Sequence, residues 1–184
     1  MFLYSKKEHE VFVLHKNLSQ EVIPKVKVDT KLLRLREVAA QQWRQVRKMQ
    51  GSFSVFDLKC RYGSSDTYIL LAYVEQELAH IEWIVPYKKI KSRYHFVSEN
   101  SYSIISCLTS EKFRGLGIYP GQIQAVVKSD IPTETFWIWA TSDNSSSLSG
   151  IRKAGGIKVG VLIQKKWFRG CISSITYFSI RTIE

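Results

Sequence analysis

The chain has 184 residues, of which 45% are hydrophobic, 12% aromatic and 23% charged; this mixture supports one packed globular domain and excludes a disordered, collagen-like or coiled-coil chain. Its 27 Lys and Arg against 16 Asp and Glu give a formal charge of +11, a field that favours polyanionic partners such as nucleic acid, an anionic membrane, an acidic protein or a phosphorylated cofactor. No run approaches ~18 uncharged apolar residues, so no membrane-spanning helix is expected, and the first ten residues lack the apolar stretch of a signal peptide.

Val11, Val13 and Leu14 mark a short strand over 10–16, and the alternation of Val26 and Val28 marks a second over 25–29, with Pro24 between them. From Thr30 the period changes. Leu32, Leu35, Ala39, Trp43 and Val46 fall on one helical face, which Asp29 or Thr30 can cap and Gly51 can close. The polar face carries Lys31, Arg34, Arg36, Arg44, Arg47 and Lys48, a pattern that also suits an RNA or membrane surface, though such a face is more often simply solvated. A short helix over 53–61 ends at Gly63. Two β-rich runs, 68–74 and 78–85, flank Glu75-Gln76-Glu77 and read as an antiparallel hairpin stopped by Pro86. Residues 87–100 are basic, aromatic and irregular, as in a long functional loop. There follow a strand over 102–109, a helix over 120–129, a strand over 135–141, a helix over 145–154, and strands over 157–163 and 172–180. The order predicts an α/β (α+β) fold: a mixed, mostly antiparallel central sheet flanked by helices. It forms a single domain, with 1–29 as N-terminal strands or extension and 64–180 as the sheet core.

The chemistry concentrates in Ser110-Glu111-Lys112-Phe113-Arg114-Gly115-Leu116-Gly117-Ile118-Tyr119-Pro120, between a predicted strand and a predicted helix. Two glycines two residues apart let the backbone turn its N–H groups to one side, and the following helix adds its own free N–H groups and positive dipole end. The result is an anion site suited to a pyrophosphate. Pro120 fits the first helical turn, where its missing N–H costs nothing. A dinucleotide fingerprint fails because its third glycine position is Pro120, and a P-loop fails for want of a Gly-Lys-Ser/Thr ending.

Arg114-Gly115-Leu116-Gly117-Ile118-Tyr119 resembles the acyl-CoA pyrophosphate loop of the GNAT (Gcn5-related N-acetyltransferase) superfamily. Downstream, Asn144, Ser147, Lys153 and Gly155 look like the same family's other cofactor motif, an Asn opening a helix that ends in Lys-x-Gly. The resemblance covers 68–180. It implies that Cys107, Leu108 and Thr109 pair through their backbone with the pantetheine arm of acetyl-CoA or another acyl-CoA, that Arg114 to Pro120 hold the pyrophosphate, and that Asn144 and Lys153 lie near the arm and phosphates. Three departures stand out: Tyr119 where Gly or Ala is usual, Gly156 where Phe is usual, and Ile151 where many members carry the Tyr that protonates the departing thiolate.

Acyl transfer to an amine needs a base or water chain to remove the amine proton and a donor for the oxyanion. Glu82 and His80, two apart on a strand and so on one face, are candidate bases, and solvent-facing strand positions are their other reading. A strand N–H at Leu108 or Thr109 would serve the oxyanion, and Ser103 or Ser106 could order a water. Trp137 and Trp139 read as core or acceptor-pocket wall, and Cys107 as inert packing. The scattered histidines and the widely spaced Cys60, Cys107 and Cys171 make neither a metal site nor a disulfide framework, and a reducing, cytoplasmic setting fits them. Lys112, Arg114, Arg152 and Lys153 flank the two motifs and could draw in the CoA phosphates or an acidic carrier protein. The acceptor, a small-molecule amine and in one reading an anionic nucleotide-linked amino sugar, would enter between two walls: Trp43, Arg44, Arg47, Arg61 and Tyr62 on one side, Tyr87, Lys88, Arg93, Tyr94 and His95 on the other. Two rivals remain: a catalytically idle CoA-binding module, and a basic nucleic-acid-binding protein with no recognisable reading motif.

Overall fold

Continuous apolar runs in the sequence become strands whose two faces are both covered. The computed structural model describes residues 3–18, 20–90, 97–169 and 171–173. Among these, one eight-stranded sheet comprises β1 (Leu3–His15), β2 (Asp29–Arg34), β3 (Tyr68–Val74), β4 (Glu77–Pro86), β5 (Tyr102–Thr109), β6 (Thr135–Thr141), β7 (Ile157–Arg169) and β8 (Cys171–Ser173). Their spatial order is β2-β3-β4-β5-β6-β1-β7-β8. Every neighbouring pair is antiparallel except β5 and β6.

The helices are α1 (Ala40–Gln50), α2 (Ser52–Tyr62), the single turn α3 (Tyr87–Ile90), α4 (Ile118–Val127) and α5 (Ser145–Lys153). On one face, Ile123, Val126 and Val127 of α4 and Leu148 and Ile151 of α5 pack on Phe12, Leu14, Leu70, Ile84, Ile104 and Phe136. On the other, Trp43 and Val46 of α1 and Val55, Leu58 and Tyr62 of α2 cover Ile69, Leu71, Ile81, Trp83 and Val85. The architecture is the predicted mixed, mostly antiparallel sheet flanked by helices.

Two elements differ from expectation. The helix expected from Thr30 begins only at Ala40; residues 29–34 are β2, with Leu32 opposite Leu70 and Leu33 opposite Ile69 of β3. In a strand, Leu32 and Leu33 point to opposite faces. Leu32 packs in the α4/α5 layer and Leu33 in the α1/α2 layer, so a two-sided sheet gives both a place that one helical face does not. The strand expected over 25–29 starts only at Asp29. Upstream, the Lys25 N–H donates to the Leu116 carbonyl at 2.8 Å instead of a ladder partner, while Val26 and Val28 pack near Phe113 and Ile118.

Elsewhere β5 and β6 have the expected bounds. The first and seventh strands run longer because Leu3–Val13 pairs along Ile157–Phe168. The last expected strand is present over Cys171–Ser173, and its remainder, 174–180, lies outside the described residues. The expected loop over 87–100 opens with α3, and its residues 91–96, with Arg93, Tyr94 and His95, also lie outside them. Among the described residues, no helix is long and apolar enough to cross a membrane.

Two irregularities of β5 position the site. Its parallel pairing with β6 is confined to Tyr102–Phe136 and Ser103–Trp137, so the two strands part beyond Ser103. Against β4 the register slips: Ile81 faces Leu108 and Trp83 faces Ile105, so Ser106 and Cys107 together oppose the single Glu82. Ser106 carries the positive φ of this bulge, 53°.

Candidate functional site

Where β5 ends, one 3-10 turn at Glu111–Phe113 buries Phe113 and leads into the glycine loop. Gly115 and Gly117 both hold left-handed φ, 77° and 76°, and Gly117 is the N-cap of α4. With no side chain capping that end, the N–H groups of Ile118 and Tyr119 are left without an intrahelical partner, and both residues line a cleft of about 730 Å³. Cys107, Leu108 and Thr109 line one wall. Arg114, Gly115, Gly117, Ile118, Tyr119 and Pro120 form the loop end, Asn144, Ser147, Gly150 and Lys153 come from α5 and its N-cap, and Val22, Ile23 and Lys25 cross above. All the expected cofactor-side residues therefore meet in one cleft except Leu116, whose carbonyl ties down Lys25. The Asn144 side chain accepts from the Ser147 N–H at 3.0 Å, so it caps α5 while lining the cleft.

Tyr119 is the departure with the largest structural consequence. Its ring lies against Gly150, where a Cβ would come within 2.5 Å of Tyr119 Cδ1, and 5.7 Å from the His80 ring. Its hydroxyl interacts with the Cys107 thiol and the Ser147 hydroxyl. Burial, with Cys107 and Glu82 nearby, pushes the phenol pKa well up, so Tyr119 keeps its proton. Burial likewise raises the Cys107 thiol, with Glu82 adding to it, which fits inert packing. Ile151 is fully buried in the core, and the glycine after Gly155 is explained by it: a Cβ on Gly156 would meet Ile151 Cγ2 at 2.6 Å.

His80 and Glu82 share a face as expected but are not solvent-facing. Both are fully buried, with His80 Nε2 2.9 Å from Glu82 Oε1 and His80 Nδ1 2.7 Å from Thr109 Oγ1. In the tautomer whose Nε2–H donates to the Glu82 carboxyl, Nδ1 accepts from the Thr109 hydroxyl. Neither residue lines the cleft; Thr109 does. Glu82 Oε2 has no hydrogen-bond partner.

The proposed acceptor walls are partly corrected. Trp43 and Tyr62 are buried core residues, Trp43 lying beneath the Lys59 ammonium at 3.5 Å and 6.0 Å from Trp83. Arg61 pairs with Asp57 at 2.7 Å, and Lys88 pairs with Asp66. Among the four flanking cations, Arg152 reaches Glu10 at 2.5 Å, Lys112 pairs with Glu77 and Arg114 lies 3.5 Å from Glu111; Arg114 and Lys153 line the cleft. Trp137 and Trp139 pack with the α1/α2 layer.

Gln50, absent from the sequence reading, brings the end of α1 to the β5 bulge: its Oε1 accepts from Trp83 Nε1 at 3.1 Å and its Nε2 donates to Ser106 Oγ at 2.7 Å. The Gly51 that closes α1 was the visible signal, since the last residue before a helix stop is well placed to reach outward.

No family model matches the chain, and no curated protein does. Solved structures do. The chain is similar to a functionally unknown conserved protein from Staphylococcus epidermidis, with TM-score 0.62 and 18% identity over 88% of this chain and 60% of that one. It is similar to a GCN5-related N-acetyltransferase from Kribbella flavida, with TM-score 0.59 and 10% identity over 92% of this chain and 61% of that one. An aminoglycoside acetyltransferase from an uncultured soil metagenomic sample, in complex with sisomicin, matches at TM-score 0.51 and 14% identity over 69% of this chain and 86% of that one. The chain thus spans about three fifths of the length of the first two. At these identities the likeness is one of fold.

Proposed function

The chain has the fold of the GNAT acetyltransferases, and from that premise we propose that it moves an acyl group, most simply acetyl, from its CoA thioester to the amine of a small molecule. The observation that carries this reading is the join of two features in one cleft. The Gly115–Gly117 turn brings the uncapped start of α4 to its lining, and the edge of β5 beyond Ser103, released from β6, supplies its wall at Cys107, Leu108 and Thr109. The first suits a pyrophosphate. The second offers unpaired backbone groups to the amides of a pantetheine arm.

In this reading Arg114, Gly115, Leu116, Gly117, Ile118, Tyr119 and Pro120 form the phosphate cradle, with Lys153 as counter-charge and Asn144 fixing the start of α5. Cys107, Leu108 and Thr109 carry the arm. Thr109 takes the amine proton, directly or through water, as its own hydroxyl proton passes to His80 Nδ1, 2.7 Å away, with Glu82 facing His80 Nε2. Tyr119 lines the cleft with its phenol held protonated, so it would donate a hydrogen bond to the departing sulfur, a role that buried Ile151 leaves open, while the sulfur takes its proton from solvent. The aminoglycoside acetyltransferase among the structural neighbours supports a small-molecule acceptor, and the basic side chains of α1 favour an anionic one.

The test is thiol release from acetyl-CoA across an amine library, paired with calorimetry of CoA on wild type and Gly117→Val. Turnover with at least one amine, and loss of affinity in the variant, are expected; equal affinity of the two proteins overturns the loop assignment. The depth of His80 and Glu82 favours one alternative, a CoA-binding module without turnover, which would bind CoA in calorimetry and release thiol with no amine.

A further inference from the structure

We propose that the connection between β1 and β2, residues 20–25, is a further wall of the cofactor site that selects a nucleotide-bearing donor: Ile23 packs against the adenine ring of CoA, and Lys25 pairs with its ribose 3′-phosphate. The inference deepens the acyltransferase reading and rests on it. It concerns residues that lie outside both cofactor motifs.

A buried amide fixes this segment in place. Gln124 of α4 is only 3% exposed. Its Oε1 accepts from the Val22 N–H at 2.8 Å, and its Nε2 donates to the Gln20 carbonyl at 2.8 Å and to the Ala154 carbonyl, at the end of α5, at 3.2 Å. One side chain thus uses both its donors and its acceptor to join the segment to the α4/α5 layer. Farther along, the Lys25 N–H donates to the Leu116 carbonyl at 2.8 Å. Between these points Pro24 lies against two glycines: a Cβ on Gly121 would meet Pro24 Cγ at 3.0 Å, and a Cβ on Gly117 would meet Pro24 Cα at 3.5 Å. The backbone is therefore held on either side of Ile23, and little of it has to be ordered when a ligand arrives.

These attachments decide which part of CoA the segment meets. Leu116 and Gly117 belong to the glycine loop and Gly121 to the first turn of α4, the end of the cleft suited to a pyrophosphate, whereas the arm runs along Cys107, Leu108 and Thr109. Past its pyrophosphate, CoA continues as an adenosine with a 3′-phosphate. The segment offers the cleft a side chain for each part. Val22, Ile23 and Lys25 line it; Ile23 is 80% exposed, an apolar surface open to the flat face of a base, and Lys25 is exposed and cationic. Lys153 lines the same cleft, so the cations there suffice for a phosphate beyond the pyrophosphate. An arm borne by a carrier protein ends at a single phosphate on a serine, with neither base nor 3′-phosphate. Such a donor leaves Ile23 bare and Lys25 unpaired, and that difference in contacts is the selectivity.

The experiment is titration calorimetry of the full chain with CoA, 3′-dephospho-CoA and 4′-phosphopantetheine, a series that loses first the 3′-phosphate and then the nucleotide. Wild type should bind them in that order, CoA most tightly. Lys25→Ala should weaken CoA about fivefold and leave dephospho-CoA unchanged. Ile23→Ser should weaken CoA and dephospho-CoA alike, about tenfold, and leave phosphopantetheine unchanged. Both side chains are exposed, so both variants should fold. A change in one variant alone overturns the role given to the other residue. Variants that bind CoA as wild type does, or that lose the same factor with all three ligands, overturn the inference and leave the acyltransferase reading standing. Failure of wild type to bind any of the three overturns both.

Discussion

A glycine and a tyrosine 31 positions apart in the numbering of α4 and α5 show how single residues decide this site. Gly150 leaves room for the Tyr119 ring, since a Cβ there would come within 2.5 Å of it. Replacing Gly150 with Val should therefore expel the phenol and lower turnover about as much as Tyr119→Phe, roughly 10²-fold for a lost hydrogen bond to the departing sulfur; stopped-flow thiol release on both variants checks this, and a normal rate in Tyr119→Phe removes that hydrogen bond from the reaction. The raised thiol and phenol also shape stability against pH. Both groups are held protonated in the folded chain, whereas the unfolded chain ionises them near their ordinary values, about 8.5 for Cys and 10 for Tyr. The unfolded state then binds fewer protons, so stability falls as pH rises through and above that window. Denaturation midpoints measured from pH 7 upward should show this fall, with Cys107→Ser removing the lower part. Glu82 and His80 illustrate the limit of reading residues singly: period-2 spacing put them on one face, but whether that face met solvent or helix α4 depended on what covered it.

At the scale of elements, caps and glycines were legible because they act within a few residues. Gly51 and Gly63 end α1 and α2 as expected, and Asn144 caps α5 through the Ser147 N–H. Asn144→Ala should cost about 1 kcal/mol in denaturant unfolding, and, because the same residue lines the cleft, it should weaken CoA binding as well; unchanged affinity would confine Asn144 to capping. The misreading of 30–34 has an equally local origin. Leu32, Leu35 and Ala39 happen to fit a helical period, but Leu32 and Leu33 are adjacent, and adjacent leucines satisfy a strand buried on both faces. A one-sequence pattern cannot distinguish these when the strand's partner β3 and the α4/α5 layer over Leu32 come from distant parts of the chain.

Across the whole molecule, the N-terminal strand is the clearest long-range decision. β1 enters the sheet between β6 and β7, with Val11 opposite both Trp139 and Gly160, and Phe12 and Leu14 are fully buried against the α4/α5 layer. Phe12→Ala should cost about 3–5 kcal/mol in denaturant unfolding. A cost near that of a surface change would mean that β1 is not integral to the core. The net charge of +11 acts on the same scale: with Arg114 and Lys153 lining the cleft, CoA affinity should fall as salt rises, because exposed attraction is screened over about 8–10 Å at ordinary ionic strength. Salt-independent affinity in calorimetry would return these cations to solvent. By itself the sequence determined the element types over most of the chain, the sheet class, and the glycine loop joined to the Asn144–Gly155 segment, since turn chemistry, capping and apolar period are written in neighbouring residues. Only the tertiary structure decided which strands flank β5, how far β6 parts from it, that His80 and Glu82 are sealed beneath Thr109, that Tyr119 fills the space over Gly150, and that Gln50 reaches Ser106. Each of these depends on contacts between segments tens of residues apart, which local periodicity does not encode.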